Sequence, residues 1–121
     1  MTAPPTPSYI SELPSSKILT QLDIDALRTL LASTFQQHAI TVTGPADDFP
    51  PEFGHTCTFQ DELSIPTEFT IHIFTANLPD VGHLIEIWRI HGSHFTFMNV
   101  LHKIGVNFGV NFPLFPRALP Y

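Results

Sequence analysis

Basic residues are scarce. The 121-residue chain carries 5 Lys and Arg against 11 Asp and Glu, a formal net charge of -6. Proteins that bind nucleic acid or anionic membranes draw much of their affinity from clustered Lys and Arg. Five cations allow a small patch at most, so nucleic acid and anionic lipid are not expected as partners. Cysteine occurs once, as Cys57. That excludes an internal disulfide framework and fits a reducing compartment. No apolar run reaches the length of a bilayer span. The opening MTAPPTPSYI has neither the basic nor the apolar region of a secretory signal. A soluble protein of the nucleus or cytoplasm is expected. The chain also lacks a G-x-S-x-G elbow, a Gly-rich phosphate loop and the H-R-D and D-F-G motifs of a kinase catalytic domain.

What is present is one domain's worth of chain with 43% hydrophobic residues, 11 of its residues being Phe. Residues 1–16 are rich in Pro, Ser and Thr and read as a disordered linker, in which Thr6 and Ser8 sit beside prolines. Order is expected from Lys17. In LDIDALRTLLASTFQQHA, Ile24, Leu27, Leu31, Phe35 and His38 fall at 3-4 spacing, which predicts a helix over 24–38. Asp23 is its candidate N-cap and Asp25 suits its first turn. Alternating or β-branched runs predict strands at 39–43, 56–60, 69–75 and 84–90. Breaker-rich segments separate them, including GPADDFPPEFG at 44–54.

The stretch IEIWRIHGSHFTFMNVLHKI, residues 85–104, changes period at Gly92. Before it, Leu84, Glu86, Trp88 and Ile90 point one way, and Ile85, Ile87, Arg89 and His91 the other; both sets are partly apolar. After it, Phe97, Val100, Leu101 and Ile104 share a helical face, with Ser93 as N-cap and Gly105 as the stop. His91-Gly92-Ser93-His94 is therefore a strand-to-helix corner. Helix, four strands and helix in that order predict an α+β two-layer sandwich: a four-stranded antiparallel meander with two helices on one face, over residues 17–105. Residues 106–121, VNFGVNFPLFPRALPY, are too apolar for a free tail and too rich in proline for a helix. They are expected to run extended over the domain surface.

Each chemical group has a plain reading beside the functional one. His55-x-Cys57 and His91-x-x-His94 are the tightest ligand groupings, but they belong to different segments and supply one thiol in all. No metal and no cofactor is expected. Cys57 lies in an alternating TCTF run, where an inert buried thiol is the common case. Asp47-Asp48 and Asp61-Glu62 are adjacent carboxylates, whose side chains diverge, so they read as solvated loop charge. No catalytic residue is assigned. Arg89 and Lys103 flank the corner and together suit a phosphate or a carboxylate; solvated charges on buried stems are the plain alternative.

KILTQLDIDALRTLL, FTIHIF and IEIWRIHGSHFTFMNVLHKI together resemble the kinase-associated domain at the C-terminus of checkpoint kinase one and of AMP-activated-type Ser/Thr protein kinases. The shared pattern is an amphipathic entry helix, a meander, and an aromatic-Arg-apolar step, here Trp88-Arg89-Ile90. A glycine corner at Gly92 follows, then a helix from Phe95-Thr96-Phe97 to Lys103-Ile104. The resemblance implies a non-catalytic module that folds back on a kinase catalytic domain and restrains it, in cis or in trans. Arg89, Gly92, Ser93 and Lys103 would then be its partner-binding residues. Lipid-binding members of the family carry Lys and Arg clusters, whereas this chain places Met98 and Asn99 in the last helix. Two further readings stand beside this one. One is a small α+β ligand-binding domain or enzyme, with an apolar pocket and His72 or His94 as its polar contact. The other is a structural adaptor.

Overall fold

Alternation of apolar side chains builds the centre of the sheet. The computed structural model describes residues 4–5, 16–47, 49–60, 66–78 and 81–110. Its two longest strands are β4 (Thr67–Leu78) and β5 (Val81–His91), paired antiparallel with Ile71 opposite Ile87 and Ile73 opposite Ile85. Opposed residues in a ladder point to the same side. These four isoleucines therefore form one patch, and each is fully buried. The burial left open by the pattern of β5 is thus settled in favour of Ile85 and Ile87. Strand β3 (Gly54–Phe59) pairs with the other side of β4, placing Cys57 opposite Phe69, and β2 (Thr41–Pro45) pairs with β3 at the edge.

Among the described residues the sheet has five strands, not the expected four. The extra one is β1 (Ser16–Thr20), which pairs antiparallel with β5, Ile18 opposite Ile85. The order across the sheet is β1-β5-β4-β3-β2. The α+β class and the antiparallel meander from β2 to β5 hold. The missed strand has a physical reason: of its five residues only Ile18 is buried. One inward side chain makes no visible alternation, and the strand exists because β5 offers it a free edge. Strand β2 also begins later than expected. Ala39 sits at φ 56°, a left-handed conformation that no strand contains.

Helix α1 (Ile24–Gln37) joins the two outer strands, β1 and β2, and so crosses a face of the sheet. The Asp23 carboxylate accepts from the Ala26 N–H at 2.8 Å, which fixes where it starts. Leu27, Leu31 and Phe35 bury the expected stripe. Helix α2 (His94–Asn107) lays Phe97, Val100, Leu101 and Ile104 in the same core, with Phe97 against Phe69. Both helices thus cover the isoleucine face. At their far ends Asn107 Nδ2 donates to Thr34 Oγ1 at 2.8 Å and to Gln37 Oε1 at 3.0 Å, tying α2 to α1.

Gly105 does not stop α2. It is buried within the helix, which runs on to Asn107 with Phe108 as C-cap. A glycine ends a helix by turning left-handed, and it is Gly109, at φ 73°, that does so.

Within the expected linker, Pro4 and Pro5 are in contact with the sheet: Thr75 donates its N–H to the Pro5 carbonyl at 2.7 Å and its hydroxyl to the Pro4 carbonyl at 2.6 Å. Thr6, Ser8, Asp48, Asp61, Glu62 and the tail residues 111–121 lie outside the described residues. Among those described, no helix is long and apolar enough to cross a membrane.

Candidate interaction surface

The corner between β5 and α2 needs three residue types in sequence. The chain must reverse after His91, and Gly92 does this at φ 108°. A Cβ there would lie 2.8 Å from Thr67 Cα and 2.9 Å from the Pro66 carbonyl, so only glycine fits. The new helix then needs a cap. Ser93 Oγ accepts from the N–H of Phe95 at 3.2 Å and of Thr96 at 3.4 Å. Arg89 closes the corner from β5, its Nη1 donating to the Gly92 carbonyl at 2.9 Å. That contact uses one of the five N–H donors of the guanidinium, and Arg89 is otherwise exposed.

Arg89, Gly92 and Ser93 are therefore gathered at one place, each with a structural task. Large apolar side chains flank them: Ile90 is 53% exposed and Phe95 60%. His91 and His94 are exposed beside them. Lys103 is not part of this group. It lies ten positions after Ser93, which along a helix is roughly 15 Å. Its charge is felt instead by His38 at the end of α1, where burial first and Lys103 second lower the histidine's pKa.

The remaining chemical groups are dispersed. Cys57 is fully buried, and burial pushes its thiol up to about 12, so it stays protonated and unreactive. His55 lies two residues away in β3, half-buried and edge-on to Phe35, ring centroids 6.3 Å apart. Burial lowers its pKa, and the nearby Arg28 lowers it further. Among the described residues no three of His, Cys, Asp or Glu are gathered as a metal-ligand set. The space between helices and sheet is occupied by side chains such as Ile71, Ile87, Leu101 and Ile104, all essentially inaccessible. Of the two histidines considered as ligand contacts, His94 is on the surface and His72 is on the opposite face of the sheet.

Two features had no counterpart in the sequence reading. The first is on the sheet face away from the helices. Phe49 folds over Gly54 and packs edge-on against His72 and Phe74, at centroid distances of 4.7 and 5.3 Å. Beside them Glu86, only 6% exposed, accepts from Trp88 Nε1 at 3.1 Å. His72 stands directly across from Glu86 in the ladder, and its Nδ1 is buried without a hydrogen-bond partner. The E-x-W spacing signals that Glu86 and Trp88 share a face, but only strand register brings in His72. The second feature is a groove of about 500 Å³ between α1 and the β2 side of the sheet. No protein-family model matches the chain, and no curated protein is significantly similar to it.

Proposed function

We propose that this chain is a non-catalytic interaction module that binds and restrains the catalytic domain of a Ser/Thr protein kinase of the checkpoint type. The observation that carries the reading is the β5–α2 corner. There an exposed guanidinium is anchored by the Gly92 carbonyl, and two exposed large apolar residues, Ile90 and Phe95, lie on either side of the corner along the chain. Arginine and aromatic groups set among apolar neighbours supply most of the binding energy at protein interfaces. The kinase itself comes from the resemblance of the Trp88-Arg89-Ile90 step and its Gly92 corner to kinase-associated domains. A nuclear or cytoplasmic location goes with that partner. Restraint is a population shift: the module favours an inactive arrangement of the catalytic domain and is released when a modification elsewhere weakens the contact.

The test is a pull-down and activity assay with a purified checkpoint-type catalytic domain added in trans. Micromolar binding with inhibition is expected, and Arg89→Ala should weaken both while the circular dichroism spectrum stays native. If the wild-type chain neither binds nor inhibits, the kinase reading is wrong and the structural-adaptor reading takes its place.

A further inference from the structure

The end of α2 delivers the chain to the rim of a groove. The N–H groups of Phe108 and Val110 both donate to the Gly105 carbonyl, at 2.9 and 2.8 Å, and Gly109 reverses the chain between them at φ 73°. Phe108 and Val110 pack against the core from outside. Phe108 also lines a groove of about 400 Å³, where the connection from β1 to α1 faces the end of α2. Leu19, Leu22 and Leu30 make up the rest of its apolar surface, and Leu19 is 53% exposed. Gln21 and Asn107 belong to its polar lining, and among the described residues none that lines it is charged. The groove between α1 and β2 differs, since Asp25, Arg28 and His55 all line that one.

Residues 111–121, NFPLFPRALPY, come next in the chain. Proline bars a helix and pushes the residue before it into extended backbone. Pro113, Pro116 and Pro120 therefore favour polyproline II over this segment. Polyproline II has three residues per turn. Phe112, Phe115, Ala118 and Tyr121 then share one face, and Arg117, the one charged side chain of the segment, is on another. The sequence thus predicts an uncharged aromatic stripe, which suits an uncharged apolar groove. The distances fit as well. Phe112 is four residues beyond Phe108, so it stays within about 15 Å of it even on a fully stretched chain. At about 3.1 Å per residue the whole segment reaches roughly 34 Å. Its prolines offer carbonyls and no N–H groups, and the exposed Gln21 brings amide donors to the groove.

We propose that residues 111–121 dock in this groove of their own chain as a polyproline II segment, with Phe112 and Phe115 on the surface made by Leu19, Leu22 and Leu30. The inference goes beyond the kinase reading and does not depend on it. The docked segment ties the end of α2 to the connection between β1 and α1.

The test places a nitroxide on the full chain at Ala118→Cys. Cys57 is fully buried and stays unlabelled under native conditions. Paramagnetic broadening is expected at the amides of Leu19–Leu22, Leu30 and Phe108, and not at Thr41–Thr43 on the opposite edge strand. Phe112→Ser combined with Phe115→Ser should abolish this pattern. Leu19→Asp, which puts a charge at an already exposed position of the groove, should abolish it too, with the circular dichroism spectrum unchanged. If Leu19→Asp does not fold, the double serine variant decides alone, because it alters no residue of the helices or the sheet. Broadening that is spread evenly over the surface, is centred elsewhere or survives the double serine variant would overturn the inference. Equal broadening of an isotope-labelled copy by a separate spin-labelled copy would overturn it as well, since the occupant would then be a second chain.

Discussion

Small residues at Gly92, Gly54, Ala39 and Cys57 carry more consequence than their size suggests. At Gly92 the φ of 108° and the closeness of Thr67 and Pro66 act together, because the crowding atoms are mostly main chain and cannot move aside. Gly92→Ala should therefore lower stability by about 3 kcal/mol or more, read from the urea midpoint. Gly54 is a useful contrast: there a Cβ meets the Phe49 ring at 2.7 Å, with ordinary φ, and a side chain can swing away. Gly54→Ala should cost less than Gly92→Ala. The reverse case is Ala39, an exposed non-glycine residue at φ 56°. Ala39→Gly should stabilise the protein by about 1 kcal/mol, since it relieves the left-handed strain at the end of α1; a lower midpoint would contradict that. Cys57 should resist iodoacetamide in the folded protein and react only on unfolding. Its thiol is raised from the ordinary 9.0 to about 12. The unfolded chain ionises first, so the stability from the buried thiol is intact below pH 9 and lost as pH rises towards 12.

At the scale of elements, what was legible followed from how many side chains an element buries. Helix α1 presents a full stripe of Leu27, Leu31 and Phe35, and its boundaries could be read to within a residue. Strand β4 buries Phe69, Ile71 and Ile73 at alternate positions, which made it recognisable at 69–75, although it runs over Thr67–Leu78. Strand β1 buries one side chain and was missed; its hydrogen bonds come from β5, remote in sequence. The candidate site divides in the same way. Ser93 and Gly92 could be recognised because caps and reversals are local. The Arg89 contact with the Gly92 carbonyl, the separation of Lys103, and the Arg28–His55 groove depend on three-dimensional placement. The cap gives a direct test: Ser93→Ala removes the acceptor for two N–H groups and should cost about 1 kcal/mol, with Ser93→Asp restoring it. Equal midpoints for wild type and Ser93→Ala would mean that packing, not capping, holds the start of α2.

Over the whole molecule, the acid side of the stability curve should be governed by histidines. The pKa values of His38, His55 and His72 are all lowered, each chiefly by burial. In the unfolded chain these groups return to the ordinary 6.5 and take up protons more readily. The stability they provide is present above pH 6.5 and lost as pH falls through their folded values. Urea midpoints should therefore fall between about pH 7 and pH 5, and His72→Leu should make that fall shallower. A flat profile over this range would mean that the three rings are solvated.

The pairing of β1 with β5 also has a consequence for synthesis. A chain leaving the ribosome presents Ser16–Thr20 well before the segment that completes its ladder, around His83–Ile87. Until then β1 has no partner, and the isoleucine face that it extends does not exist. The nascent chain can form α1 and begin the meander, but it cannot close its sheet. A chaperone or a neighbouring nascent copy has that interval in which to capture the orphan strand. The delay between translating Thr20 and His83 is therefore the interval in which misassembly competes with closure of the sheet.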